Sequence, residues 1–272
     1  MTSHRIYSGS SHIEFDDIGA YIRNVVLDDI NILMQSPDGH QTHGGSAMLI
    51  PFANRVRNAT YSMNGIRYNL PRNNGQHSIH GLTRERQWNT TSIGDRSELY
   101  LRLEDPGLPG IMDCRIVMKV SPKGFSVSMN FVNISRLDQP LSPGMHPYFL
   151  FNGNWKLVTS GEIKILEYED SYFPTGRFLQ YDITELSSTS GKHFDNCFLI
   201  GDTLTMDLGD HSIRIETIDM PYIVVYNGEY SQGKSVAVEP MVGAPDAFNN
   251  GIGLKILRPG DSYSCQATFR LQ

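Results

Sequence analysis

Two ionisable side chains, His146 and Glu239, each stand directly before a proline. Imidazole can donate or accept a proton near neutral pH, and a carboxylate can accept one. Because the residue before a proline is driven toward extended backbone, we expect each side chain at the end of a β-strand. Either dipeptide alone is more often structural than catalytic. Taken with the segments described below, they predict an acid/base pair that works without a cofactor.

The neighbours of the pair indicate the kind of ligand. Strand alternation puts His146 on the same face as Tyr148, whose ring we expect to be exposed. Glu239 shares its face with Ala237 and Ser235, small residues that leave room for a ligand. A sugar packs its C–H face on an aromatic ring while its hydroxyls bind polar groups. The pattern therefore favours a small carbohydrate.

Composition excludes several classes of partner. The chain of 272 residues has a formal charge of -6 and scattered basic residues, which argues against nucleic acid or an anionic membrane as partner. No apolar run is long enough to cross a bilayer, and the first residues lack the apolar stretch of a secretory signal. Cys114, Cys197 and Cys265 are widely spaced and fit reduced thiols. We expect a cytoplasmic protein, a monomer or homodimer, that acts on a small molecule.

Alternation with period two runs through most of the chain. The clearest examples are residues 99–104, 114–120, 125–131, 204–208 and 213–215. Asn64-Gly65 lies between two short extended segments and predicts a two-residue hairpin turn. No segment sustains a helical stripe beyond a turn or two, and no linker or repeat divides the chain. The sequence predicts an all-β protein, a large antiparallel β-sandwich, formed as one domain over residues 1–272.

Five short segments resemble, in order, the signature blocks of the aldose 1-epimerase (galactose mutarotase) family. They are Pro51-Phe52-Ala53-Asn54-Arg55, Ile79-His80-Gly81, His146-Pro147-Tyr148-Phe149, Asp195-Asn196-Cys197-Phe198 and Val238-Glu239-Pro240. Each block is short, but the ordered set is specific. The resemblance implies a galactose mutarotase-like β-supersandwich and an isomerase that needs no metal or cofactor. It also implies interconversion of the α and β anomers of a free hexose or pentose.

The resemblance further implies roles for individual residues. These are His146 as general acid, Glu239 as general base, His80 as a second histidine of the site, and Arg55, Asn54 and Asp195 as sugar-binding residues. To these we add Tyr148, a predicted sugar contact because it shares the face of His146. The chain departs from the common pattern at Gly81-Leu82, where a second glycine is usual, and this leaves the backbone path beside His80 open.

The implied chemistry is simple acid/base catalysis. An anomer changes configuration at C1 only when the hemiacetal ring opens, which removes the proton of the C1 hydroxyl and delivers a proton to the ring oxygen. Glu239 as carboxylate could do the first and His146 as imidazolium the second. From reference pKa values of about 4.3 for glutamate and about 6.5 for histidine, we expect mutual attraction to keep Glu239 ionised and to raise the pKa of His146.

Other functions remain open at this point. A glycoside hydrolase would need two carboxylates on either side of the sugar. Glu239 and Asp195 are the best candidates, but this assignment gives His80 and His146 no role. A non-catalytic carbohydrate-binding β-sandwich would need no acid/base pair. A sugar-phosphate (hexose-6-phosphate) 1-epimerase would need cationic side chains to hold the phosphate, for which the candidates are Arg55, Arg57, Arg84 and Arg86.

Three further features are assigned no part in the chemistry. His40 and His43 form a His-x-x-His motif, but no third ligand stands at useful spacing, so we predict no metal site. His77 lies three residues before His80, which in a strand puts it on the opposite face. Trp88 could be a stacking platform for a sugar, although a tryptophan in a β-sandwich usually belongs to the core.

Overall fold

The computed structural model describes residues 2–170 and 172–272. Within these ranges the chain forms two large β-sheets, three two-stranded ribbons and short helical segments. The strands, in chain order, are β1 (Ser3–Ser8), β2 (Ser11–Asp16), β3 (Ile22–Leu27), β4 (Ile30–Asn31), β5 (Ser46–Leu49), β6 (Arg55–Val56), β7 (Thr60–Met63), β8 (Ile66–Asn69), β9 (Ser78–Ile79), β10 (Asn89–Ile93), β11 (Arg96–Leu103), β12 (Met112–Ser121), β13 (Gly124–Asn133), β14 (Gln139–Leu141), β15 (Gly144–Leu150), β16 (Lys156–Val158), β17 (Ile163–Tyr168), β18 (Pro174–Tyr181), β19 (Asp195–Leu199), β20 (Thr203–Asp207), β21 (Ser212–Ile218), β22 (Tyr222–Tyr226), β23 (Ser235–Met241), β24 (Lys255–Leu257) and β25 (Ser262–Leu271).

Helical structure is limited to short pieces. One α-helical turn, α1, covers Ala247–Asn250, and single 3-10 turns occur at Arg57–Ala59, Ile183–Glu185, Ser188–Ser190 and Glu229–Ser231. No helix among the described residues has the length and apolar character needed to cross a membrane. The predicted all-β architecture is confirmed.

Two antiparallel sheets make up the body of the protein. The eleven-stranded sheet has the order β1-β2-β3-β5-β15-β23-β22-β19-β17-β18, with β4 paired to β3. The eight-stranded sheet has the order β10-β11-β12-β13-β25-β21-β20-β16. Strands β15 and β23 therefore lie near the middle of the larger sheet, where both their edges are paired.

The core lies between the two sheets. Phe149 of β15 packs on Phe269 of β25 with 5.5 Å between ring centroids, which joins the sheets directly. Phe269 also stacks on Phe125 of β13 at 4.5 Å. Burying each such side chain stabilises the fold by about 1.5–3 kcal/mol. Trp88 is buried in the same core, as predicted for a tryptophan in a β-sandwich.

Strands β15 and β23 bring the two proton-transfer candidates together. Gly144 pairs with Met241 and Tyr148 with Ala237, so the same register puts His146 directly opposite Glu239. The prediction that both side chains stand at strand ends is wrong, since each lies inside a central strand. The prolines that follow them keep the backbone extended and remove only their own N–H donors, which a strand interior tolerates here.

A two-stranded ribbon carries the other candidate residues. Strand β6 pairs with β9, with Arg55 opposite Ile79, and the His80 amide donates to the carbonyl oxygen of Asn54 at 3.0 Å. The neighbouring ribbon, β7 with β8, turns at Asn64-Gly65, where both residues have positive φ. That two-residue hairpin is the one predicted from the sequence.

The backbone beside His80 follows a tightly constrained path. His80 and Gly81 have φ of 61° and 75°. A Cβ atom on Gly81 would lie 2.2 Å from the carbonyl oxygen of Ile50, and the Leu82 amide donates to that same oxygen at 2.7 Å. One glycine is thus enough for the turn, and Leu82 fits where a second glycine is common. The contact with Ile50 fixes the position of His80.

We expect Gly81→Ala to destabilise the fold more than Gly75→Ala. Both glycines have positive φ, but the space around Gly75 is open. Each alanine incurs about 1–2 kcal/mol for left-handed backbone, and the overlap at Gly81 adds roughly 1–3 kcal/mol. Chemical denaturation of the two variants measures the difference. Equal destabilisation would show that an alanine at position 81 does not clash with the carbonyl oxygen of Ile50.

Candidate active site

A cavity of about 510 Å³ opens on the face of the eleven-stranded sheet that points away from the core. A volume of this order suits a small ligand. All seven residues predicted for the site line this cavity: His146, Glu239, His80, Arg55, Asn54, Asp195 and Tyr148. The structure thus brings together residues that lie up to 185 positions apart in the chain, since Asn54 and Glu239 are its outermost members.

His146 and Glu239 form a buried pair on the cavity floor. Nε2 of His146 lies 3.3 Å from Oε1 of Glu239. The two residues are only 5% and 2% exposed. Nδ1 of His146 and Oε2 of Glu239 are buried and have no hydrogen-bond partner in the protein. Both atoms lie where an unmet hydrogen bond is costly, so the pair is an energetically unfavourable arrangement.

Tyr148 holds the ring of His146 in place. The two rings stack at 4.8 Å between centroids and 12° between planes, and the Tyr148 hydroxyl donates to the carbonyl oxygen of Thr42 at 2.7 Å. The prediction of an exposed Tyr148 ring is wrong, because Tyr148 is 1% exposed. The segment that carries Thr42 and Gly45 covers it, and the Tyr148 amide donates to Gly45. Its hydroxyl is already used, so its contact with the cavity is through the ring.

His80 approaches His146 from the ribbon. The two imidazole rings meet edge to face, with 5.2 Å between centroids. His80 is buried, and its Nδ1 has no hydrogen-bond partner in the protein. The left-handed backbone at His80 is uncommon for a residue other than glycine, and such strain often marks functional sites. The structure therefore puts a second imidazole within reach of any ligand on the pair.

Burial controls the protonation of the pair. Loss of hydration lowers the pKa of His146 to about 3, and the positive charge of Arg84 acts in the same direction. Burial raises the pKa of Glu239 well above its usual range, and the negative charge of Asp195 adds to this while Arg55 opposes it. The expectation that attraction raises the pKa of His146 is wrong, because burial outweighs it. Burial therefore favours the uncharged form of each group.

Arg55 and Asp195 form the opposite wall. Nη1 of Arg55 lies 3.7 Å from Oδ2 of Asp195, and Nε donates to Oδ1 of Asn74 at 3.2 Å. The guanidinium also lies over the ring of Tyr172, 4.1 Å from its centroid. Asn54 accepts the Arg55 amide proton at 2.9 Å. Burial raises the pKa of Asp195, and the charge of Arg55 opposes that shift.

The segment after β23 ties this wall to the strand that carries Glu239. The Asp246 amide donates to the carbonyl oxygen of Arg55 at 2.8 Å, and Oδ1 of Asp246 accepts the Arg57 amide at 2.9 Å. These bonds join β6 and the turn after it to the segment that follows β23, the strand of Glu239. The relative positions of Arg55 and Glu239 are therefore set by backbone contacts and not by side chains alone.

Sequence reasoning gave most of the other lining residues no part in the site. Those it missed are Thr42, Asn73, Asn74, Tyr172, Tyr226 and Tyr230. His40 and His43 were considered only as a metal site, and Arg84 only as a phosphate ligand. His43 lies between His40 and Tyr230, with ring centroids 4.2 Å and 3.7 Å away, and its Nδ1 is 2.7 Å from Oδ2 of Asp38. The sequence offers one signal for the position of His43: Asp38 lies five residues before it and can pair with its imidazole.

The histidines and arginines that were given no part in the acid/base chemistry mostly lie outside the cavity or have acidic partners. Among the described residues no group of three or more His, Cys, Asp or Glu side chains is arranged to hold a metal ion. His77 lies outside the cavity, where Nδ1 accepts the amide of Asn58 at 3.0 Å. Arg57 pairs with Glu169 and Asp246, and Arg86 pairs with Asp105 at 3.0 Å. Of the four arginines considered for a phosphate, only Arg55 and Arg84 line the cavity.

The chain is similar to known proteins over nearly its whole length. The sequence model of the family described as Aldose 1-epimerase matches residues 4–270. The YihR protein of Escherichia coli (strain K12) is 25% identical over 277 residues, covering 94% of this chain and 89% of that protein. An aldose 1-epimerase of Haemophilus influenzae is 24% identical over 228 residues, covering 71% of this chain and 66% of that protein.

Solved structures share the fold. A GalM/aldose epimerase homologue from C. elegans superposes with a TM-score of 0.84 at 21% identity, covering 100% of this chain and 99% of that one. A galactose 1-epimerase from Lactobacillus acidophilus superposes with a TM-score of 0.76 at 16% identity, covering 98% and 92%. Because the family model matches nearly the whole chain, the protein belongs to the aldose 1-epimerase family.

Proposed function

We propose that this protein is an aldose 1-epimerase that interconverts the α and β anomers of a free hexose or pentose without a cofactor. The observation that carries the proposal is the buried contact of 3.3 Å between Nε2 of His146 and Oε1 of Glu239. It lies on the floor of a cavity of a size that suits one sugar ring. The family membership of the chain supports the same isomerase chemistry.

Ring opening needs one proton removed and one delivered. The C1 hydroxyl gives its proton to Glu239, the bond between C1 and the ring oxygen breaks, and the ring oxygen takes a proton from His146. Rotation about the bond between C1 and C2 turns the other face of the aldehyde toward the freed hydroxyl. The same two groups then act in reverse and close the ring. No proton is gained or lost over the cycle.

The pair holds the one proton that this cycle requires. Burial favours its location on Glu239, because burial disfavours both charges. Sugar hydroxyls in the cavity bring hydrogen bonds to His146 and Glu239, which both line it. These bonds stabilise the charged form, in which Glu239 is the base and His146 the acid. Coupled groups of this kind titrate as a pair.

The remaining wall residues bind and orient the sugar. Arg55 and Asp195 present a donor and an acceptor on one side of the cavity, and Asn54 fixes the backbone of Arg55. His80 is held neutral, since burial lowers its pKa well below the usual range and His146 adds to this. A neutral imidazole can donate one hydrogen bond and accept another. Holding the open chain in place contributes to the rate as well.

The rival functions fit the geometry less well. In a glycoside hydrolase Asp195 would act with Glu239, yet Asp195 is paired with Arg55 and the His146–Glu239 contact would have no use. A carbohydrate-binding module would gain nothing from two buried titratable groups, whose desolvation is unfavourable.

Three free and buried cysteines fit the reducing cytoplasm, which we propose as the location.

We expect His146→Asn and Glu239→Gln each to lower kcat by about a hundred- to ten-thousandfold, because each exchange keeps the shape but removes a proton-transfer group. Polarimetry of freshly dissolved α-glucose, α-galactose and α-xylose measures the rate, and circular dichroism checks the fold. His211→Asn and Glu216→Gln, which lie outside the cavity, are the matched controls. Wild-type rates in either site variant would contradict the acid/base assignment.

We expect Glu239→Gln to make the fold more stable at neutral pH. The pKa of Glu239 is raised on folding, so its contribution to stability is complete below the unfolded value and is lost as the pH rises through the folded one. Each unit of that shift destabilises the native state by about 1.4 kcal/mol, and about 1 kcal/mol moves Tm by roughly 2–4 °C at this size.

Calorimetry of both proteins between pH 4 and pH 8 makes the comparison. The gain in Tm from Glu239→Gln should be near zero at pH 4 and grow toward pH 8. We expect His146 to stay neutral over this pH range in both proteins, since burial lowers its pKa to about 3, so its contribution cancels in the difference. A gain that is independent of pH, or a loss of stability at pH 7, would show that Glu239 is ionised in the empty site.

A further inference from the structure

Arg84 is the one arginine of the cavity without an acidic partner among the described residues. It lies in the loop between β9 and β10 and is half-buried. Its Nε is buried without a hydrogen-bond partner, and no carboxylate in residues 2–170 and 172–272 comes within 4.0 Å of it. Arg55, in contrast, faces Asp195, and Arg86, two positions on, is paired with Asp105.

The backbone holds Arg84 firmly at this place. The side-chain amide of Gln41 donates to the carbonyl oxygen of Arg84 at 2.9 Å and to that of Ile18 at 3.2 Å. Gly19 packs closely against the backbone of Arg84, since a Cβ on Gly19 would lie 2.4 Å from the same carbonyl oxygen. The backbone from which the Arg84 side chain extends is therefore fixed in position.

An unpaired cation in this position is costly in the empty protein. Burial lowers the pKa of Arg84, and the exposed Glu85 beside it acts weakly in the other direction. The charge of Arg84 also lowers the pKa of His40, His80 and His146. A half-buried guanidinium whose donors lack partners becomes favourable when an anion binds it, and its planar fork matches an oxyanion.

His40 provides a second donor on the same side. Its Nδ1 lies 3.1 Å from Oγ1 and 3.4 Å from the amide nitrogen of Thr42, which leaves its proton on Nε2 when the ring is neutral. Asp195, the acidic wall residue, is the partner of Arg55. The cavity thus has a basic side formed by Arg84 and His40 and a polar side formed by Arg55 and Asp195.

We propose that the substrate is an acidic sugar whose anionic group, a carboxylate or a phosphate ester, binds Arg84. This inference rests on the proposed epimerase function and narrows its substrate class. The anion occupies the basic side of the cavity while C1 and the ring oxygen lie on His146 and Glu239. An anion at Arg84 also offsets the positive charge that lowers the affinity of His146 for a proton. Substrate binding thereby favours the protonated form of the general acid.

The test compares three sugars in three proteins. Anomer exchange of glucose, glucuronate and glucose 6-phosphate is measured by magnetisation-transfer NMR in the wild type, Arg84→Gln and Arg86→Gln. Glucose lacks the anion, and the other two separate a carboxylate from a phosphate. Arg86→Gln is the matched control, because Arg86 is exposed and lies outside the cavity. Isothermal titration calorimetry measures binding of the same sugars in parallel.

We expect wild-type kcat/KM for one acidic sugar to exceed that for glucose by about tenfold or more. Arg84→Gln should lower it by about ten- to a hundredfold, mainly through KM, and at least tenfold more than it lowers the value for glucose. Arg86→Gln should leave all three values unchanged. A wild-type preference for glucose, or equal losses for all sugars in Arg84→Gln, would overturn the inference and leave the epimerase function intact.

Failure of the proposed function has a different signature. No exchange above the spontaneous rate with any sugar would contradict the epimerase function. Calorimetry would then still decide the inference, since an acidic sugar should bind more tightly than glucose and lose that advantage in Arg84→Gln. Equal affinities for acidic and neutral sugars would overturn it.

Discussion

Two titratable groups, His146 and Glu239, are buried within 3.3 Å of each other, and the rest of the site depends on this contact. Removing either charge from water costs several kcal/mol, so burial favours a neutral imidazole and a protonated carboxyl. Nδ1 of His146 and Oε2 of Glu239 are buried without a hydrogen-bond partner in the protein, which adds to that cost. Under the proposed function a bound sugar would offset the cost of burying the pair, and the same proton would serve both directions of the reaction.

A pair of this kind needs a scaffold that cannot relax. His146 and Glu239 lie on the two neighbouring strands β15 and β23, each paired on both edges in the middle of the eleven-stranded sheet. On the opposite face, Phe149 packs against the second sheet and holds β15 in place. The ring of Tyr148 fixes the plane of His146. The strained backbone at His80 is held by its contact with the segment that carries Ile50. The packing of the sandwich therefore offsets the cost of burying His146 and Glu239 on one face of the larger sheet.

Much of the fold could be read from the sequence, because period-two alternation and turn residues are local signals. The segment 125–131 and the Asn64-Gly65 hairpin are both found as predicted. The positions of His146 and Glu239 within their strands were not predicted, because a proline indicates extended backbone but not its place in a sheet. The burial of Tyr148 depends on a segment a hundred residues earlier, at Thr42. The protonation of the pair depends on burial, which no local pattern reports. The stack of His43 on Tyr230 is assembled from distant loops, and its one sequence signal, Asp38 near His43, was too weak to identify it.

The protonation of His146 in the ligand-free protein is the most direct test of this account. Nitrogen-15 NMR of protein labelled at histidine, with His146→Asn to assign the signal, distinguishes neutral imidazole from imidazolium. The account predicts that His146 is neutral at pH 7 and stays neutral well below the usual histidine range, since burial lowers its pKa to about 3. An imidazolium signal from His146 at pH 7 would mean that the pair is a charged ion pair. Burial would then not control the chemistry of this site.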